Sequence, residues 1–391
     1  MRLDLLIFGG GAAGLWCLDR FRRAGYVAIL LESTALAHGQ TIQAQGIIHG
    51  GGKYALRGVR DFTAVRATKE MPERWRRSLR GEIEPDLRGT KVLSDRCHLW
   101  LPRGSMATRA LSWGFMPLMA KGGLLSTQPQ QLPDSMWPAA LRGSAIAVYT
   151  LAEPVVATGS LVDALARPYR KWIFSYDVSD LEFAGERIQI AEVSLQPRSI
   201  VFAAGAGNAE LMRRAGIRGD FMQCRPLKMI LLRGATLPEL FGHCIVRGKT
   251  QLTITTPTQG IWQVGGEIAE QLEYQKDLED GRQAAMSEIH RGFPGLDLSG
   301  IEIATYRATR AEAKTKEQKR PSGVHVSRVG PRIVVGWPTK LSMAPILADE
   351  VFALVHAELK QPGGYGEPLV PWPTPSVARY PWEEVEWFAA R

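Results

Sequence analysis

The sequence predicts an α/β protein with a dinucleotide-binding half and a separate half built on an antiparallel sheet. Three observations carry this. An apolar run (Leu3 and residues 5–8) leads into Gly9, Gly11 and Gly14, which fit G-x-G-x-x-G. A second apolar run, 27–31, ends on Glu32. Alternating runs at 229–232, 252–255 and 261–264 have the period of half-buried strands.

In the first 32 residues the pattern is β–α–β. Gly9 permits the tight turn, Gly11 lets backbone approach a pyrophosphate, and Gly14 lets helix and strand pack closely. A helix over 12–24, stopped by Gly25, would aim its N-terminus at the phosphates. Glu32 stands where a carboxylate accepts hydrogen bonds from a ribose. Taken alone, the turn does not say which dinucleotide.

Residues 33–58 form a long polar, glycine-rich loop, and such loops beside a nucleotide site are usually functional. Residues 57–80 hold Arg57, Arg60, Arg66, Lys69, Arg74, Arg76, Arg77 and Arg80, read first as a solvated helix face. Contact with RNA or an anionic membrane surface is the other reading of that stretch. Residues 85–150 read as short strands and loops. A helix over 160–166 with Ser160 near its cap is followed by strands at 173–178 and 188–193. Then 199-SIVFAAGAGNAEL-211 repeats the logic of the N-terminus: an apolar strand, small residues, a helix. Residues 311–322 read as a charged surface loop, 333–335 as a short buried strand, and 342–359 as a helix with Pro345 in its first turn. The tail from 362, rich in Pro and Trp, reads as an extended strap anchored by its tryptophans.

Of the 391 residues, 45% are hydrophobic and 22% charged, as expected for a chain with a large core rather than a disordered one. The net charge of +9 favours anionic partners. Cys17, Cys97, Cys224 and Cys244 are dispersed with no C-x-x-C, so neither an iron–sulfur nor a zinc site is indicated, and no metal is expected. No secretory signal and no apolar stretch of transmembrane length are visible, so a cytoplasmic protein is expected. Peripheral contact with the inner face of the membrane stays open.

The chain resembles the D-amino-acid oxidase superfamily of flavoproteins, which includes glycine and sarcosine oxidases, FAD-dependent glycerol-3-phosphate dehydrogenase and L-2-hydroxyglutarate dehydrogenase. Four segments in family order carry the resemblance: the glycine turn with Glu32, 38-HGQTIQAQGIIHGGGKY-54, 199-SIVFAAGAGN-208 and 334-VVGWPTKLSMAPILADEV-351. It implies FAD, an oxidoreductase, and an α/β fold. A discontinuous Rossmann-like FAD-binding domain (1–84, 151–220 and 321–391) would join an α+β substrate domain (85–150 and 221–320) with a mixed, largely antiparallel sheet.

By the same resemblance, Gln40, Thr41, Gln45 and Gly46 would contact the pyrophosphate or the flavin ring. Val178 would meet the adenine through its backbone, and Ala204 and Gly205 would line the phosphate end. Gly336, Thr339, Lys340 and Leu341 would meet the carbonyl edge of the ring. The loop ending 49-HGGGKY-54 is similar to the H-G-G-x-R-Y of glycerol-3-phosphate dehydrogenase. His49 would act as general base or hold the flavin by a hydrogen bond. Lys53, replacing that pattern's arginine, would neutralise a substrate anion without bidentate geometry, and Tyr54 would bond substrate or pack. Lys340 resembles the lysine of the sarcosine oxidase G-F-K pattern, although 338-PTK-340 matches it only in part. Arg307 and Arg310 lie where such enzymes often place a carboxylate-binding arginine, and Arg307 would be that residue. His38 raises covalent attachment; noncovalent FAD is the default.

The resulting expectation is hydride transfer from a small anionic amine or amino acid to FAD. A 2-hydroxy acid or polyol phosphate is the alternative, and a modified tRNA base the remote one. A subunit of a larger dehydrogenase complex is the nonenzymatic reading. The electron acceptor (oxygen, quinone or an electron-transfer protein) and the oligomeric state are not legible in the sequence.

Overall fold

The first apolar run forms the strand Arg2–Phe8 because both of its faces find a core. Leu5 and Ile7 face one apolar cluster and Leu3, Leu6 and Phe8 face another, the signature of a strand covered on both sides. In the computed structural model the described residues are 1–51, 68–103, 129–275, 278–316, 320–321, 323–363 and 370–390.

Arg2–Phe8 lies at the middle of an eight-stranded sheet whose main path runs His325–Gly330, Ile333–Trp337, Val193–Phe202, Arg2–Phe8, Ala28–Glu32, Ile173–Ser175. All pairings along this path are parallel except the first. The helices Ala12–Arg23, Thr158–Ala166 and Ala344–Leu359 contribute to the cluster on one face. The parallel register sets the C-terminal ends of the strands at Phe8, Glu32, Phe202 and Trp337 side by side, the edge at which open α/β sheets bind ligands.

The second sheet has nine strands in the order Phe388–Ala389, Glu302–Ala313, Met222–Arg233, Ile261–Gly265, Lys249–Thr258, Gly242–Val246, Cys97–Pro102, Ala145–Leu151, Gln130–Gln131. It is mixed and largely antiparallel; Gly242–Val246 with Cys97–Pro102 is the parallel pair. Successive residues alternate between faces, and residues opposite one another on neighbouring strands share a face. Trp100, Trp262, Val264, Ile254 and Leu252 pack one face against Ala285, Met286 and Ile289 of the helix Leu278–Gly292. The other face carries His243 opposite Thr253, with Gln263 and Tyr306 further along.

Several local expectations change. The strand expected over 173–178 stops at Ser175, and Val178 opens a short 3-10 turn in which the Asp177 carboxylate accepts from the Ser179 amide at 2.8 Å. The expected strand 188–193 is a hairpin, Arg187–Ile190 turning into Val193–Phe202. Ala157, not Ser160, caps the helix Thr158–Ala166, and the Ser160 hydroxyl donates back to the Ala157 carbonyl. The expected surface loop 311–322 begins inside a strand: Ala311, Glu312 and Ala313 are buried, with Glu312 held by Arg225 at 2.9 Å. The helix expected from 342 starts at Ala344, after the 3-10 turn Leu341–Met343. The tail does strap the body: the Ser175 amide donates to the Pro373 carbonyl and the Leu36 amide to Ser376. It ends as an edge strand of the second sheet, since Phe388–Ala389 pairs with Glu302–Ala313.

Candidate active site

At the glycine turn, contacts explain the residue types. Gly9 sits at φ +111°, and a Cβ there would come within 2.6 Å of the Ala204 Cα. A Cβ on Gly14 would meet the Gly9 carbonyl oxygen at 1.9 Å. At Gly11 a Cβ would meet only the Thr41 hydroxyl, at 3.1 Å, so that face is open to a ligand. The helix Ala12–Arg23 starts there with no side-chain cap, although the Ala12 amide reaches the Thr41 hydroxyl at 3.2 Å. The Glu32 carboxylate accepts from the Gly10 amide at 2.6 Å and the Thr34 amide at 2.9 Å. Each of its oxygens has further acceptor capacity. A cradle that excludes side chains, an uncapped helix start and an acid at the next strand end fit a dinucleotide.

The neighbouring strand ends close on the same place. The Asn208 carboxamide accepts from the Ala204 amide at 2.8 Å and donates to the Gly336 carbonyl at 3.5 Å, tying two segments together. Gly205, at φ +58°, accepts through its carbonyl from the Trp337 indole. A Cβ on Gly336 would press on Leu347 at 3.0 Å, so this glycine also serves close packing of strand on helix. Thr339 holds an unusual φ of +63°, and its hydroxyl donates to the Gly323 carbonyl. Lys340 is buried beside it, and Leu341 packs partly against the first core.

The polar loop reaches across to the second sheet. The Gln45 amide group donates to the Thr253 and Gln263 carbonyls at 2.9 and 2.8 Å, and Gln263 donates to the Gln43 carbonyl. The Tyr306 hydroxyl joins Gln263 at 2.6 Å and Gln43 at 3.2 Å. Gln40 accepts from the Ala311 amide. Gly46 has φ +72°, and a Cβ there would meet the Val156 carbonyl oxygen at 2.0 Å. This loop therefore lies between the nucleotide turn and the polar face of the second sheet.

On that face the fold assembles a group the sequence did not indicate. His49 Nδ1 lies 3.2 Å from Glu153 Oε2, while Glu153 Oε1 accepts from the Gly50 amide at 2.7 Å. The His243 ring centroid is 5.4 Å from that of His49, and its Nδ1 meets the Thr253 hydroxyl at 2.9 Å. One ligating atom from each of His49, Glu153 and His243 lies within 4.8 Å of the others, so a possible metal-ligand set exists where none was expected. Glu153 and His243 are buried. Their signals were a lone acid after the apolar strand Ala145–Leu151 and a histidine in a strand otherwise apolar.

The structure separates the two candidate arginines. Arg307 is opposite Lys228, on the side of its strand away from Tyr306, and pairs with Glu273; its side chain is 74% exposed. It is not brought to the polar face, a correction to the expectation. Arg310, on Tyr306's side, is opposite Arg225, and both approach Glu270. Burial, with Arg320 adding repulsion, pushes Arg310 down to about 10. Lys53, Tyr54 and the first part of the basic stretch lie outside the described residues. In the remainder, Arg74 pairs with Asp349, Arg76 with Glu73, and Arg77 and Arg80 with Glu82. Among the described residues no helix is long and apolar enough to cross a membrane.

A mainly parallel sheet with a glycine cradle at its C-terminal edge, set against a sheet with a buried polar face, is the architecture of a dinucleotide-binding enzyme. The family model described as FAD dependent oxidoreductase matches residues 4–335, and the chain belongs to that family. It is 37% identical over 397 positions to a probable FAD-dependent oxidoreductase of Pseudomonas aeruginosa, covering 97% of each chain. A crystal structure of an FAD-dependent oxidoreductase from that organism superposes with a TM-score of 0.81 at 33% identity, covering 98% of each chain. L-α-glycerophosphate oxidase from Mycoplasma pneumoniae, with FAD bound, gives 0.67 at 16% identity, over 95% of this chain and 100% of that one. Glycine oxidase from Geobacillus kaustophilus gives 0.64 at 15%, over 95% and 98%. The protein is an FAD-dependent oxidoreductase of this family.

Proposed function

We propose that the protein oxidises a small anionic substrate at a carbon bearing a hydroxyl group, a 2-hydroxy acid or polyol phosphate. The observation that carries this is Glu153 beside His49. An alcohol gives up a hydroxyl proton as its C–H bond breaks, so its oxidation needs a base. An imidazole oriented by a buried carboxylate provides one. Sequence alone puts the amine class slightly ahead, because an amine free base needs no such group; Glu153 beside His49 supports the hydroxyl class.

Bound FAD supplies the hydride acceptor, and the protein supplies position and proton handling. In this reading Gly9, Gly11 and Gly14 admit the pyrophosphate and Glu32 takes the ribose. Thr41, Gln45, Gly46, Ala204, Gly205, Gly336, Thr339 and Leu341 line the rest of the cofactor's path, with Val178 at the adenine end. Arg310, rather than Arg307, supplies positive charge on the polar face, and the Lys53 of the sequence stays a proposed anion partner outside the described residues.

Lys340, buried next to the strand end at Trp337, favours a second reading, an amino-acid donor held by its carboxylate. One experiment separates the two. The purified flavoprotein is mixed anaerobically with a panel of 2-hydroxy acids, polyol phosphates and amino acids, and loss of visible flavin absorbance is followed. Bleaching by a hydroxyl donor is expected. Bleaching by amino acids alone would sink the first reading in favour of the second.

A further inference from the structure

We propose that Glu153 is the positioning residue for His49, fixing which imidazole nitrogen carries the proton. The inference rests on the reading of His49 as the site's base. Glu153 is bound at both oxygens by the segment it orients: Oε1 takes the Gly50 amide at 2.7 Å and Oε2 faces His49 Nδ1 at 3.2 Å. Two contacts to adjacent residues fix the loop's backbone and the imidazole together. Glu153 is itself fixed: it ends the segment after the strand Ala145–Leu151, and the Ile48 amide donates to the neighbouring Pro154 carbonyl. His243 stands beside His49, with the Thr253 hydroxyl at its own Nδ1.

The chemistry follows from the atoms. A carboxylate is an acceptor only, so facing Nδ1 it selects the tautomer with hydrogen on Nδ1. The lone pair is then on Nε2. When a substrate hydroxyl gives its proton to Nε2, the ring becomes a cation and the Glu153 charge, already in place, balances it; the proton stays on His49 and Glu153 remains ionised. The same three side chains have the types and spacing of a metal site. The Nδ1–Oε2 separation is a hydrogen-bond distance, and the Gly50 amide on Oε1 holds the carboxylate in that orientation, as a proton-bearing pair requires.

The test uses the flavin-loaded protein with 15N-labelled histidine, the His49 resonances being identified from a His49→Asn sample. His49 is expected to report hydrogen on Nδ1 in the parent protein and a tautomer mixture in Glu153→Gln, at unchanged flavin content. This readout needs no substrate. With a donor found by the panel, Glu153→Gln should reduce the anaerobic bleaching rate about 100-fold, with partial recovery when formate is added to Glu153→Ala. If Glu153→Gln fails to fold, the parent spectrum and Glu153→Asp still decide the question. Hydrogen on Nε2 in the parent protein would overturn the proposal. So would a stoichiometric divalent metal in the parent protein that is lost in Glu153→Gln, which would make the group a metal centre. An Nδ1-protonated His49 in a protein bleached by amino acids alone would sustain Glu153's role and remove the hydroxyl-donor reading.

Discussion

The two sides of the active region are made from different materials. The nucleotide turn is mostly backbone: Gly9, Gly11 and Gly14 lie within six residues, and the absence of their side chains is the device. The polar face opposite is made of side chains from distant segments: His49 from a loop, Glu153 past one strand, His243, Gln263 and Tyr306 from three others. A site defined by missing atoms tolerates no added ones, while a site defined by converging side chains tolerates change away from the convergence. Predictions follow from that difference.

The largest effect belongs to the turn. In Gly14→Val the new Cβ would sit 1.9 Å from the Gly9 carbonyl oxygen, and both partners are backbone with a neighbouring strand behind them. Relief requires moving the helix Ala12–Arg23 off the strand. Overpacking of this kind costs about 1–3 kcal/mol of stability, and the displaced helix start no longer faces the phosphates. The purified variant should carry little flavin, as read from visible against protein absorbance. Full occupancy would show that the turn yields more than a backbone-built grip can.

A smaller effect should mark the second sheet under acid. Burial, with Arg96 adding repulsion, depresses His98 to about 4. In the unfolded chain histidine titrates near 6.5. Between those values the unfolded chain takes up a proton that the fold refuses, so stability falls as pH falls through that window and is fully present above it. The loss is at most roughly 3 kcal/mol. Thermal melts across this range should slope downward towards acid, and His98→Gln should flatten the slope. An unchanged slope would exclude His98 as its source.

Legibility tracks the same division. The glycine spacing, Glu32 and the strand–turn–helix at 199–211 were readable because local sequence encodes local backbone. The end of a strand at Ser175 was not, since a carboxylate-capped turn at Asp177 competes with an apolar run. Nor was the burial of Glu312: charged composition signals a surface loop unless a partner such as Arg225, on another strand, neutralises the charge. Glu153 and His243 carry only a lone acid and a lone histidine as local signals, because their meaning arises only where they meet His49. Tyr306 is in the same position, since a residue's face depends on the register with Met222–Arg233.

Arg307 and Arg310 give the finest test, because they are three residues apart on one strand and differ in which side they occupy. Sequence similarity favoured Arg307. Its partner Glu273 holds it on the far side; the Arg307 side chain is 74% exposed and that of Glu273 only 6%. Removing Arg307 leaves the buried Glu273 carboxylate without its charge partner, so Arg307→Ala should lower stability by about 1–3 kcal/mol in thermal melts. It should still leave the substrate concentration for half-maximal bleaching within about twofold, well below the tenfold that 1.4 kcal/mol of lost binding would give. Arg310→Ala is the informative contrast, since that side chain shares the face of Tyr306 and is held by Glu270. If Arg307→Ala raised the half-maximal concentration tenfold and Arg310→Ala did not, the side of the strand would not be what selects the anion-binding arginine.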